Sequence, residues 1–323
     1  MLLTGGAGYI GSFVVRELAA RGHELLVIDN LSSGRAEAIP GAPLVVADIR
    51  DEGAVMAAFD RFRPDCVIHL AALKSPEESC QDPARYFDVN VTGTVNLLRA
   101  AHRYQVGRFV FSSSAAVYGT PQVCPVDETA PAAPQSPYGE SKYVGERLVA
   151  SQSASTGMRY ACLRYFNVAG AAADASLGEF SSTEARQLVP RAVSVARNLL
   201  PALTVFGVDY PTEDGTALRD YIHVMDLARA HVHVAEGLED AGRSGTYNLG
   251  RGEGVSVLAL VERLRGISGA EVALDVAPRR AGDMAASWAD AGLVRQTFGW
   301  HAEYDLHDIL SSAWAWHTRP AAG

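Results

Sequence analysis

Along the first half of the chain, short apolar runs alternate with longer stretches in which apolar positions recur every three or four residues. Met1 to Thr4, Glu24 to Ile28, Leu44 to Ala47, Cys66 to Leu70, Arg108 to Ser112 and Arg159 to Tyr165 are runs of the first kind, with the length and branched or aromatic content of buried strands. Phe13, Val14, Leu18 and Ala19, and the segment Ala84 to Tyr104, are of the second kind and predict amphipathic helices. Strands alternating with helices imply an α/β fold around a doubly wound parallel sheet. Beyond Gly170 the rhythm breaks. A polar loop, a helix near Gln187 to Leu199 and a stretch rich in Pro, Gly and Asp from Gly207 to Gly215 predict the start of a second, smaller domain. Regular patterning resumes at Tyr221 to Gly237 and Thr246 to Leu249. The domains are therefore expected to interleave, with residues 1–168 and 221–250 in the first and 169–220 and 251–323 in the second.

The first strand runs directly into Gly5-Gly6-Ala7-Gly8-Tyr9-Ile10-Gly11. Glycines at 5, 8 and 11 permit a tight turn, close approach of backbone to a pyrophosphate and close packing of helix on sheet, with the helix N-terminus facing the anion. The second strand ends at Asp29, about twenty residues on, where a carboxylate accepts from a ribose 2′-OH and repels a 2′-phosphate. Strand, glycines, helix and acid in that order predict a dinucleotide site that favours NAD over NADP.

A second candidate site comes from the basic residues. Of the 28 Lys and Arg, all but Lys74 and Lys142 are arginine, so these two positions call for a compact ammonium. Lys142 lies in Ser136-Pro137-Tyr138-Gly139-Glu140-Ser141-Lys142. Ser136 and Pro137 read as the N-cap and first residue of a helix, which sets Tyr138 and Lys142 one turn apart on one face. An ammonium beside a phenol at the positive end of a helix is expected to pull the Tyr138 pKa below its usual value of about 10, towards a usable base. The spacing alone is also met by any surface Tyr and Lys on a helix. Phe111-Ser112-Ser113-Ser114-Ala115-Ala116-Val117-Tyr118-Gly119 ends the fifth strand. Strand ends on the carboxyl side face the ligand crevice of such a sheet, so Ser114 is expected to join Tyr138 and Lys142 in a proton-handling set.

Composition narrows the function classes. A net charge of -9 without a basic run argues against nucleic acid or an anionic membrane as main partner. The sequence holds no apolar stretch of membrane-spanning length and no leader before the first strand, which points to the cytoplasm. Cys66, Cys80, Cys124 and Cys162 have no CxxC spacing and read as reduced thiols. His231 and His233 sit two apart on a helix and so point to different sides, a poor metal pair. No metal site is expected.

With the glycine motif, FSSSAAVYG and SPYGESK stand RYFNVAGA (164–171), GVDYPTEDGTALRDYIHVMDLA (207–228), YNLG (247–250) and PRRAGD (278–283). On these motifs the chain resembles the extended short-chain dehydrogenase/reductases, and more closely their UDP-glucose 4-epimerase (UDP-galactose 4-epimerase) branch, over essentially its whole length. The resemblance implies a doubly wound parallel Rossmann sheet with a smaller, interleaved α/β substrate-binding domain. For NAD it implies Gly5, Gly8, Tyr9, Ile10 and Gly11 at the phosphates, Asp29 and Asn30 on the adenosine ribose and Asp48 and Ile49 beside the adenine. Leu70, Ala71, Ala72 and Lys74 would line the cofactor, with Asn90 and Ser112 nearby. Tyr138 would be the base, Lys142 would also bind the nicotinamide ribose, Ser114 would assist proton transfer at the sugar O4, and Phe166 would close on the nicotinamide. For the UDP-sugar it implies Asn167, Arg219, Arg280 and Asp283 on UDP, Thr204, Val205 and Phe206 beside the uracil, and Gln187, Leu188 and Ser287 near the sugar and phosphate.

The activity so implied is epimerisation at C4 of a UDP-hexose through a transient 4-keto sugar, with NAD kept as a prosthetic group. A UDP-pentose or UDP-uronate 4-epimerase is the alternative within the family. A dehydratase would need acids where Ala115 and Ala116 stand. A non-catalytic dinucleotide sensor would have no use for Ser114, Tyr138 and Lys142 together. Three features depart from the family pattern. Met1 stands three residues before the glycine turn, which points to a start further upstream, Gln187 replaces an Asn, and Ser287 replaces a Tyr found in glucose/galactose-restricted members. The resemblance also implies a homodimer built on Ala84 to Tyr104 and Pro137 to Ser153.

Overall fold

A computed structural model describes residues 1–180, 187–280 and 282–319. Seven strands form one wholly parallel sheet: β1 (Leu2–Thr4), β2 (Leu26–Asp29), β3 (Leu44–Val46), β4 (Cys66–His69), β5 (Arg108–Ser112), β6 (Arg159–Tyr165) and, from much later in the chain, β11 (Gly245–Leu249). Their order is β11-β6-β5-β4-β1-β2-β3. β1, β2 and β4 are buried at every position, as strands covered on both faces must be, which explains their unbroken apolar runs.

Helices cover both faces. Phe13, Val14 and Leu18 of helix Tyr9–Ala20 pack with Leu227, Val232 and Val234 of helix Val224–Gly237 on one side. Val55, Phe59, Leu97 and Val149, from helices Glu52–Phe62, Gly93–Arg103 and Pro137–Thr156, cover the other. The order of strands reverses between β1 and β4, and at such a switch point the carboxyl ends of the strands open a crevice.

The remaining strands are short: β7 (Asn167–Ala169), β8 (Leu203–Phe206), β9 (Leu218–Arg219), β10 (Tyr221–His223), β12 (Val255–Ser256), β13 (Leu274–Ala277) and β14 (Ala286–Ser287). They pair as β10-β7, β12-β9-β14 and β13-β8. A second core of Val189, Val193, Leu203, Leu260, Leu264, Ile309 and Leu310 gathers helices Leu188–Ala196, Val257–Ser268 and Leu306–Thr318 around them.

One expected element differs in the structure. Ala84 to Tyr104 is not one helix: Pro83–Phe87 is α-helical, Asp88–Thr92 is a π-turn and Gly93–Arg103 resumes the α-helix. The wider turn buries Asn90 and sets Gly93 against Ile49, where a Cβ would lie 2.3 Å from the Ile49 side chain. The regular stretch Tyr221 to Gly237 is β10 followed by a helix capped by the His223 ring, which accepts from Met225 N.

Candidate active site

The glycine turn after β1 is as tight as its sequence demands. Gly5 has a φ of 73° and a Cβ there would lie 2.6 Å from Ala71 N; a Cβ on Gly11 would lie 2.1 Å from the Gly5 carbonyl. Backbone approaches backbone here, which leaves the helix N-terminus open to an anion and fits a dinucleotide. Asp29, buried at the end of β2, accepts from Ala7 N at 2.9 Å and from Leu31 N at 2.8 Å. It braces the glycine turn, and each oxygen keeps a second lone pair for a ribose hydroxyl. Beside it Asn30 donates to Asp48 at 2.9 Å, and the Arg50 guanidinium holds the Asp48 carboxyl well below its usual range.

Several side chains implied for the cofactor are committed elsewhere. The Tyr9 hydroxyl donates to Gly170 O at 2.6 Å and Ile10 packs on the core, so these positions can offer only backbone. Ile49 is buried, and its carbonyl accepts from Asn96. Asn90 accepts from Leu73 N at 2.9 Å and donates to Leu73 O at 3.1 Å and to Ser141 Oγ at 2.9 Å. It ties the Leu70-Ala71-Ala72-Leu73-Lys74 loop to the helix of Tyr138. Lys74 is mostly exposed, 3.7 Å from Glu179. Phe166 is packed with Tyr118, Val126 and Ala289.

Ser114, Tyr138 and Lys142, the three residues expected to handle protons, converge where β5 ends. The Ser136 side chain caps the helix by accepting from Gly139 N, and Pro137 is its first residue. The helix comes close because it carries glycine on the contact face: a Cβ on Gly145 would lie 2.4 Å from the Phe111 ring. Lys142 is buried with its Nζ donating to Ser112 O at 2.8 Å and 5.2 Å above the Phe111 ring. Burial draws its pKa down to about 8. Ser112 serves the site through that carbonyl only, since its hydroxyl is buried against His231 Nε2 at 2.9 Å.

Tyr138 departs from expectation. Burial raises its pKa above the usual tyrosine value, and only the facing Ser114 hydroxyl pulls the other way. Loss of solvent outweighs helix and ammonium because the phenolate is the form that water stabilises most. The Lys142 head is turned onto a carbonyl instead of the phenol. Ser114 itself caps the turn Ala115–Tyr118 by accepting from Ala116 N at 3.1 Å.

The second half of the site hangs from Asp220. Its carboxylate accepts from the backbone N–H of Arg251, Gly252 and Ala289, its N–H donates to Ser287 O, and its carbonyl accepts from Asn167 N. Arg219 and Ser287 are paired residues of β9 and β14. Arg219 is bonded to Asp283, and the exposed Arg280 stacks 3.8 Å over Phe206, next to Thr204 and Val205 on β8. Gln187 precedes helix Leu188–Ala196 without capping it. Asp220, the buried carboxylate Glu146 and its partner Arg164 were not singled out in the sequence. Glu146 was detectable as the next residue at helical spacing after Lys142.

His231 and His233 bond to different partners, Ser112 and Phe298 O. Among the described residues no group of three or more His, Cys, Asp or Glu could hold a metal ion, and no helix is long and apolar enough to cross a membrane.

A doubly wound sheet with a tight glycine turn, a Tyr-Lys-Ser set at the strand ends and arginines on the second core's strands and loops fits a nucleotide-dependent enzyme of the extended reductase type. The model of the NAD dependent epimerase/dehydratase family matches residues 1–250, and the chain belongs to that family. The UDP-glucose 4-epimerase of Lacticaseibacillus casei is 40% identical over 321 residues, 99% of this chain and 97% of its own. Among solved structures, the UDP-glucose-4-epimerase of Stenotrophomonas maltophila with bound NAD and formylated UDP-arabinopyranose is 45% identical, with a TM-score of 0.94 over 98% of this chain and 97% of that one. The UDP-Glc/GlcNAc 4-epimerase of Campylobacter jejuni is 39% identical, with a TM-score of 0.86 over 98% and 97%.

Proposed function

We propose that the chain is an isomerase, an NAD-dependent UDP-hexose 4-epimerase that interconverts UDP-glucose and UDP-galactose. The observation that carries the reading is the meeting of Ser114, Tyr138 and buried Lys142 at the carboxyl ends of the strands that also bear the glycine turn. Gly5, Gly8 and Gly11 would hold the NAD pyrophosphate and Asp29 its ribose. NAD, when bound, supplies the hydride acceptor at C4 and the positive ring that favours the Tyr138 phenolate. Tyr138 takes the proton of the sugar 4-OH, Ser114 bridges it, and Lys142 keeps positive charge beside the phenol. Arg219, Arg280 and Asn167 hold the diphosphate, guanidinium being suited to two-pronged contact. The 4-keto sugar then turns while UDP stays anchored, and Tyr138 returns the proton once the opposite face of C4 is presented.

Ser287 leaves room near the sugar C2 where a tyrosine would stand, so UDP-GlcNAc and UDP-GalNAc are also substrates in this reading. The Campylobacter relative, named for both sugars, supports that range. The UDP-pentose in the Stenotrophomonas structure keeps a pentose 4-epimerase as the second reading. A panel of UDP-glucose, UDP-GlcNAc, UDP-arabinose and UDP-glucuronate, followed by product separation, distinguishes these. Absence of turnover on the whole panel overturns the assignment. The enzyme is proposed to be cytoplasmic and homodimeric. Half-buried Phe87, Val91 and Val95 on one helical segment and Val144 and Leu148 on the other support the paired-helix interface.

A further inference from the structure

One turn beyond Lys142 the same helix carries Glu146, a carboxylate 5% exposed. It accepts from Arg164 Nε at 2.8 Å and Arg164 Nη2 at 2.6 Å, and from the Ser113 hydroxyl. The Arg164 guanidinium lies 4.7 Å over the Tyr118 ring, whose hydroxyl donates to Asn248. Apolar residues of similar volume match or exceed a buried ion pair in stability, so stability alone is a weak reason to keep this one. Its placement is a stronger reason. Successive residues of a strand face opposite ways, and here Ser112 turns to His231 while Ser113 turns to Glu146. The strand end that carries Ser114 is thus held from both faces.

The charges around Lys142 follow a simple count. Its ammonium meets the Phe111 ring and the Ser112 carbonyl from β5, lies near neutral His69 from β4, and feels the charge of Glu146 from its own helix. Glu146 in turn is paired with Arg164 of β6, and Tyr138, one turn before Lys142, has Tyr165 of β6 and Tyr86 of helix Pro83–Phe87 as neighbours. Among these groups Glu146 carries the negative charge. Lys142, Arg164 and Glu146 together leave a single positive charge, which a Tyr138 phenolate cancels.

We propose that Glu146 is a positioning residue for the epimerase chemistry, fixing the Ser112 to Ser114 strand end through Ser113 and supplying the buried negative charge that keeps Lys142 an ammonium beside Tyr138. This rests on the reading of Tyr138 and Lys142 as the proton-handling pair. Burial already draws the Lys142 pKa to about 8, and Glu146 is the group that opposes this.

The test is Glu146→Gln in the NAD-loaded enzyme, a change that keeps side-chain size and an oxygen for Ser113 but removes the charge. Loss of the carboxylate lowers the Lys142 pKa, so the alkaline limb of the kcat profile with UDP-galactose should move to lower pH. A move of about one pH unit corresponds to a tenfold change in the ammonium-to-amine ratio. KM and bound NAD should stay at wild-type values. Glu146→Gln/Arg164→Gln removes both charges, leaves no unpaired guanidinium, and should shift the limb in the same direction. An alkaline limb at its wild-type position in either folded variant overturns the proposal. Wild-type turnover in Lys142→Met overturns instead the reading on which it rests.

Discussion

At the scale of single residues, the roles proposed for the groups of the site are separable. Tyr138→Phe removes one ionisable oxygen and leaves the glycine turn and Asp29 untouched, so bound NAD should be retained on purification. Proton transfer by a positioned side chain contributes about 10²- to 10⁴-fold, and kcat should fall by that order. Near-wild-type turnover would place the base elsewhere. Ser287 is the position proposed to act on substrate range. Its backbone is fixed by Asp220 and by pairing with Arg219, so Ser287→Tyr should add a ring without moving the strand. The expected result is loss of UDP-GlcNAc turnover with UDP-galactose turnover spared, read as the ratio of the two kcat/KM values.

At the scale of elements, the sequence was informative wherever a local rule applied. The capped start Ser136-Pro137, the glycine turn and the strands all depend on neighbours a few positions away, and they stand in the structure, although β3 at the sheet edge is only half-buried, with Val46 exposed. The π-turn at Asp88–Thr92 was not legible, because its cause is the distant fit of Asn90 to Leu73 and Ser141 and of Gly93 to Ile49. The same holds for Asp220, whose backbone partners at 251, 252 and 289 lie far along the chain. The motif around it was visible as a string, but its purpose as a brace was not. The direction of the Tyr138 pKa is hidden for a related reason: helix and lysine are visible in the sequence, whereas burial of the phenol is not. Helix-to-sheet distance gives a prediction at this scale. Gly145→Leu would drive a side chain into the Phe111 ring and lift the helix from β5. Overpacking of this kind costs about 1–3 kcal/mol. Both the melting temperature and kcat should fall, the latter because Tyr138 and Lys142 move away from Ser114.

At the scale of the molecule, three buried neutral histidines set the response to acid. Burial draws His69 down to about 3 and His223 and His231 to about 4. His69 is held between Thr4 and Thr94, and His231 between Ser112 and Leu227 O. The unfolded chain takes up these protons near pH 6.5 while the folded one refuses them, so stability is complete above that pH and falls as pH drops towards 4. Each histidine accounts for about 2 kcal/mol of loss between pH 7 and pH 5. Buried Asp220 and Asp226, whose carboxyls are raised by burial, work in the opposite sense. Urea midpoints measured from pH 7 to pH 5 should therefore decline steadily; a flat profile would contradict the neutral assignment. The sheet order has a further consequence, for the living cell. β11, at the edge beside β6, and helix Val224–Gly237, which seals helix Tyr9–Ala20, are made only after residue 223. A ribosome that has finished the entire glycine turn, Tyr138 and Lys142 has still produced a sheet with one face covered only in part, by helix Tyr9–Ala20. The nascent chain must wait, sticky and unsealed, for its last-made third before the first-made third can close.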